Sequence, residues 1–188
     1  MKFKLLVALS CCVVFVHRGL AQEAEEKENG KETKHGQHEL KLIISHSHIG
    51  SAVNEHGNKE WTVVPSWGLD YNYWFNGHWA AGLHSDMMIE TFNVEEYGDE
   101  NKTIERTRPI ALVAAASFKP KEHSVFILGM GGEFAKEGKF ALTRIGDEYA
   151  WELRKRWELS AGLVYDLKWN AYDTWTIGLG VSKFFGGR

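Results

Sequence analysis

The sequence predicts an all-β fold, an eight-stranded antiparallel up-and-down transmembrane β-barrel, from three observations: residue alternation, connection lengths and the character of the N-terminus. From about His38 to Phe185, eight segments put large apolar or aromatic residues on one face and small or charged ones on the other. In the clearest, Trp157, Leu159, Ala161, Leu163, Tyr165, Leu167 and Trp169 share a face, and Glu158, Ser160, Gly162, Val164, Asp166 and Lys168 share the opposite one. A period of two is that of a strand. Charges facing a narrow interior while indoles face outward make physical sense where the outside is lipid.

The strands are expected at about 39–49, 61–74, 78–92, 104–118, 123–134, 143–153, 157–169 and 173–185. With the N-terminus periplasmic, the connections Phe75-Asn76-Gly77, Lys119 to Glu122 and Arg154-Lys155-Arg156 are short, whereas the external ones at Gly50 to Glu60 and Asn93 to Thr103 are longer. That asymmetry is usual for such barrels. A two-residue Asn-Gly turn would flip the third strand's apolar set inward. A three-residue loop with Gly77 left-handed keeps the faces consistent, setting Tyr73 against Trp79, Leu69 against Leu83 and Gly68 against His84. Arg154-Lys155-Arg156 likewise pairs Leu153 with Trp157. Outward aromatics fall into a periplasmic girdle (Tyr73, Trp79, Phe118, Phe126, Trp151, Trp157, Phe185) and an external one (Trp61, Phe134, Trp169, Trp175).

Residues 1–21 read as a cleaved signal peptide: Lys2 and Lys4, the apolar run Leu5 to Val16, then Gly19-Leu20-Ala21. The run is too short for a spanning helix. Both cysteines, Cys11 and Cys12, lie within it, so neither a disulfide nor a thiolate site is expected in the mature chain. Cleavage moves the formal charge from −3 to −6, because Lys2, Lys4 and Arg18 leave and no carboxylate does. An acidic chain without a basic stripe argues against nucleic acid as a partner. Residues 22–38 are nearly all polar or glycine and read as a disordered periplasmic tail, and 39–188 as the barrel. The mean hydropathy of −0.34 does not count against a membrane barrel, since only alternate residues meet lipid. A soluble barrel with an apolar cavity would invert the faces and leave a glycine-rich, charged exterior.

The signal ending Leu20-Ala21-Gln22, the eight alternating strands and the last strand, Trp175 to Phe185, resemble the small outer-membrane β-barrel superfamily of Gram-negative bacteria (OmpA/OmpX-like). Pro65 to Phe75 and Lys168 to Trp175 further resemble a subgroup of it. The resemblance implies a fold and a place in the cell outer membrane, and no activity. It also implies that the assembly machinery reads a terminal aromatic residue. Here Gly186-Gly187-Arg188 follow the candidate, Phe185.

The expected lumen network comprises Asp70, His84, Asp86, Glu90, Glu133, Glu158, Asp166 and Lys168, with Arg144, Glu148 and Glu152 also inward. Buried polar groups require partners, so a structural network is favoured over a metal site at His84. His46 and His48 are weaker metal candidates, because strand parity puts both on the outer rim. Arg106 and Arg108, near the external end of the fourth strand, have the forked donors to bind lipid phosphate. Catalysis as a rim acyltransferase or hydrolase would draw on His46, Ser47 or Ser51, and Glu55 or Asp173. A Ser and a His on opposite faces of one strand do not make an activated nucleophile. The reading is therefore a non-enzymatic, cofactor-free, monomeric barrel with outer-membrane lipid as its surroundings. Its role would be structural or binding, exerted through the external loops or the tail, with a narrow solute or ion channel as the alternative.

Overall fold

The computed structural model describes residues 36–53, 59–96 and 99–187; the signal segment and residues 22–35 of the tail lie outside the described residues. The described residues form ten antiparallel strands: β1 Gln37–Val53, β2 Lys59–Trp74, β3 Trp79–Met88, β4 Thr91–Glu96, β5 Asp99–Thr107, β6 Ile110–Phe118, β7 Ser124–Ala135, β8 Gly138–Glu152, β9 Trp157–Lys168 and β10 Asp173–Gly186. Eight of them close a barrel in the order β1-β2-β3-β6-β7-β8-β9-β10, with β10 returning to pair with β1. Each barrel strand pairs with the next one along the chain, apart from the β4–β5 hairpin inserted between β3 and β6. The described residues contain no helix.

The faces are as the alternation requires. Leu42, Ile44, Leu83, Leu128, Ile145, Leu163, Ile177 and Leu179 stand outward and exposed, while Lys41, Asp70, Arg144, Glu158, Asp166 and Ser182 are buried inside. An outward surface of this kind is unfavourable in water and fits hydrocarbon. The girdle aromatics pack laterally, Trp79 on Phe118 at 4.4 Å and Tyr165 on Trp175 at 4.5 Å between ring centroids. The interior is not wholly polar. Trp74 and Phe184 are buried inside, near the end that holds the short turns and both ends of the barrel, the one expected to be periplasmic, with Val113, Val125, Ile127 and Leu142 in the same cluster.

Several boundaries differ from expectation: β1 runs on to Val53, β8 begins already at Gly138, and four further departures change the barrel's ends. Gln37 and His38 belong to β1 rather than to the tail, and His38 stacks on Phe185. The β2–β3 turn slides by one residue, to Asn76-Gly77-His78, because Asn76 Oδ1 accepts from the backbone N–H groups of His78 and Trp79, both at 2.8 Å. Such an Asn-centred turn needs no left-handed residue at Gly77, and Gly77 has no positive φ. Tyr73 therefore faces Ala81, Leu69 faces Ser85, Gly68 faces Asp86, and Asp70 faces His84 directly. The shift is even, so the faces survive. The Arg154-Lys155-Arg156 turn has the expected register, Leu153 N donating to Trp157 O at 2.8 Å.

The other two departures reshape the external end. The third and fourth expected strands break, at Ile89-Glu90 and at Arg108-Pro109, and the chain between forms the β4–β5 hairpin. Pro109 has no N–H to continue a ladder, and Arg108 before it adopts φ 45°. Phe92 and Val94 of the hairpin pack with Ile49, Ala52, Val64, Met88 and Tyr172, giving the external end its own apolar cluster. Ala52 pairs with Val94 to tie the hairpin to β1.

Candidate functional site: the charged lumen and its external cap

Inward alternation on eight strands aims charged side chains at one axis, and the register decides which of them meet. Near the periplasmic end Glu39 accepts from Ser182 Oγ at 2.6 Å, Trp74 Nε1 at 2.9 Å and Asn72 Nδ2 at 3.2 Å. Lys41 bridges Glu39 and Glu148, at 3.5 and 2.5 Å. Lys119 reaches Glu158 at 3.4 Å, and Glu152 joins it at 3.7 Å with a half-exposed side chain.

At mid-barrel Arg144 grips Asp166 with two hydrogen bonds of 2.7 Å and contacts Asp86 at 2.6 Å. Two-pronged pairing of this kind is the strongest that a guanidinium makes with a carboxylate. His84 Nε2 hydrogen-bonds Asn72 Oδ1 at 3.0 Å, and its Nδ1 lies 3.5 Å from Asp70. Asp70 also accepts from the Ser85 N–H at 3.2 Å. Asp70, His84, Asp86 and Arg144 border a cavity of about 30 Å³, room for about one water molecule. The hydroxyls of Ser45, Ser47, Ser66 and Thr176 form a neutral chain beside them.

The external end has a second ionic knot. Arg106 donates to Glu133 at 2.6 Å and to the Gly138 carbonyl at 3.1 Å, and its guanidinium lies 4.6 Å from the centre of the Phe140 ring. Tyr172 donates to the same Glu133 oxygen at 2.6 Å, and Lys168 lies 3.4 Å from the other. Burial, together with the Glu133 carboxylate, holds the Tyr172 phenol well above its ordinary pKa, so it stays a donor. Above this knot Val94, Ile104, Phe140, Ala171 and Tyr172 wall a pocket of about 140 Å³.

Of the residues expected in the lumen, the structure brings Asp70, His84 and Asp86 together with Arg144 and Asp166, and Glu133 with Lys168. Glu158 is paired with Lys119 instead, and Asn72 proves to be the main hydrogen-bond partner of His84. Two expectations fail. Glu90 is exposed in the bend after β3 and outside the lumen. Arg106 is no rim cation for lipid phosphate, because the break at Arg108-Pro109 reverses its facing and buries it on Glu133. Arg108 stays exposed. His46 is outward and exposed and His48 partly so, while Ser47 between them points inward to Ser66 and Thr176, so Ser47 pairs with neither histidine; the Ser51 side chain and Glu55 lie outside the described residues. Among the described residues no group of three or more His, Cys, Asp or Glu is placed to hold a metal ion.

A closed eight-stranded wall, an apolar outside and a packed ionic inside decide the fold. The chain has the fold of the small eight-stranded outer-membrane barrels. It is similar to OprG of Pseudomonas aeruginosa, with TM-score 0.61 and 11% identity over 81% of this chain and 97% of that one. It is also similar to Ail, the attachment invasion locus protein of Yersinia pestis, with TM-score 0.51 and 13% identity over 80% and 99%. Neisserial surface protein A gives TM-score 0.50 and 9% identity over 80% and 99%. At these identities the likeness is one of fold. No family model and no curated protein matches the sequence.

Proposed function

We propose that this chain is a resident of the bacterial outer membrane, exported by a signal peptide cleaved after Ala21, whose role is structural or binding and is exerted on the external side. The observation that carries the reading is the lumen. Ionic layers at Glu39–Lys41–Glu148, Arg144–Asp166 and Arg106–Glu133 fill it along its length, and the β4–β5 hairpin packs on its external end. An eight-stranded barrel has little interior beyond its side chains, and a filled interior supports a scaffold over a conduit. The scaffold then presents the hairpin and the pocket between Ile104 and Tyr172 outward. Attachment, which the name of Ail states for that protein, is a role of the same class. Phe185, exposed near the end of the last strand, is the residue offered to the assembly machinery, and outer-membrane lipid is the surrounding partner. No enzymatic step, cofactor or nucleic acid enters this reading.

The test is planar-bilayer recording of the purified protein, paired with crosslinking on intact cells through a reactive group at the hairpin tip. Silence in the bilayer with external partners captured is expected. Steady unitary currents that vanish on replacing Arg144 would overturn the reading in favour of a channel.

A further inference from the structure

Outward-facing side chains between the girdles are aliphatic, aromatic or small almost everywhere, and Asp147 breaks that pattern. It lies on β8 midway between Thr143, which accepts from the Trp169 indole at 3.1 Å in the external girdle, and Trp151 in the periplasmic one. Its side chain is exposed, with Ile145 and Tyr149 beside it on the strand and Phe126 and Leu163 opposite it on β7 and β9. It makes no hydrogen bond or ion pair with any described residue. Among the described residues, no other outward carboxylate lies between the girdles. Asp173 sits at the external end and accepts from Tyr165, and the outward cation Lys183 is at the periplasmic end, over Trp157 and donating to the Lys155 carbonyl. His46 belongs to the same row of paired residues, Asp147–Leu163–Ile177–His46, but strand tilt carries that row toward the external end.

Lipid tails can neither solvate a carboxylate nor satisfy the donor and acceptor of a neutral carboxyl. An ionisable group at this depth calls for a partner. That partner must offer both a donor and an acceptor at the same depth. Two copies of this chain inserted in one direction and related by a two-fold axis along the membrane normal bring identical depths together, so Asp147 of one copy meets Asp147 of the other. A paired carboxyl is self-complementary, and the flat aliphatic surface of Ile145, Leu128 and Leu163 around it packs without competing for the hydrogen bonds.

We propose that the outward face of β7, β8 and β9 centred on Asp147 is an interface with a second copy of this chain, in place of the monomer that the sequence suggests. Two variants separate this from simple apolar association. Asp147→Asn keeps a self-complementary donor and acceptor, whereas Asp147→Leu keeps only the size and suits lipid, so neither threatens folding.

The experiment is single-molecule photobleaching of the labelled protein in phosphatidylcholine bilayers across protein-to-lipid ratios. Two-step bleaching is expected for the native chain and for Asp147→Asn, with association weakened about tenfold in Asp147→Leu, the size of one hydrogen-bonded pair within a membrane. A native chain that stays single at every ratio overturns the proposal, as does a Leu variant that associates as well as the native one. Crosslinking from position 145 in cells that captures only a different protein overturns it too.

Discussion

Arg144 and Arg106 are both buried guanidiniums closed on a carboxylate, yet they reach that state by different routes. Arg144 stands on a barrel strand directly opposite Asp166, held there by the uninterrupted register of β8 and β9. Arg106 stands on the inserted hairpin, and its pairing with Glu133 requires β5 to turn over at Arg108-Pro109 and fold onto the barrel end. The wall positions one ion pair, and tertiary packing positions the other. The mid-barrel pair should therefore be coupled to global unfolding, and the external one to the local docking of the hairpin.

The largest expected effect is at Arg144. Arg144→Met leaves Asp166 and Asp86 without their cation in the interior, an uncompensated buried charge that costs about 3–5 kcal/mol. Urea unfolding of the lipid-embedded barrel measures it. Adding Asp166→Leu should recover part of the loss, and a double variant as unstable as the sum of the two singles would show that the pair is not coupled.

Arg106→Met is expected to cost less, about 1–3 kcal/mol, because Lys168 and Tyr172 still hold Glu133. The loss should appear as faster hydrogen exchange in β4 and β5 while the wall strands keep their protection. Uniform loss of protection around the barrel would erase the distinction between the two pairs.

His84 sharpens the comparison within the wall. Its contacts to Asn72 and Asp70 make it a structural member of the mid-barrel layer, so His84→Ala and Asp70→Ala should be non-additive by about 1 kcal/mol. Zinc should leave the unfolding midpoint of the native chain unchanged. A midpoint that rises with zinc and loses that rise in His84→Ala would instead make the layer a metal site.

The same contrast accounts for what the residues alone could tell. Pairing Leu153 with Trp157 across a three-residue turn already places Arg144 opposite Asp166, because register propagates along an unbroken ladder. Facing was legible for the same reason: a period of two survives any even slip, including the one at Asn76. Arg106 and Glu90 were misplaced because parity was carried through a break. Pro109 announces that break in the sequence, but not how the chain turns beyond it. Trp74 and Phe184 were hidden by a rule about average faces that local packing overrides near the periplasmic end. The outward facing of Asp147 follows from parity; what parity withheld is that the described residues of its own chain offer it no partner.

The smallest expected effect lies where the hairpin touches the barrel rim in water. Glu137, in the β7–β8 turn, accepts from the Thr107 hydroxyl at 2.6 Å and from the Thr107 N–H at 3.1 Å. Those two hydrogen bonds, the hydroxyl first, hold the Glu137 carboxyl below its ordinary pKa of 4.5. A depressed carboxylate contributes stability above its unfolded value and loses it as pH falls through the folded one. The latch between hairpin and rim should accordingly be intact at neutral pH and open only below the ordinary carboxylate range. Exposure keeps the effect small and salt-screened. Carbon-13 titration of Glu137 in the native chain and in Thr107→Val reads it directly, the valine raising the midpoint toward the ordinary value by removing the hydroxyl while the N–H remains. A midpoint already ordinary in the native chain, and unmoved by the valine, would mean that the hairpin is held by its apolar cluster and by Arg106 alone.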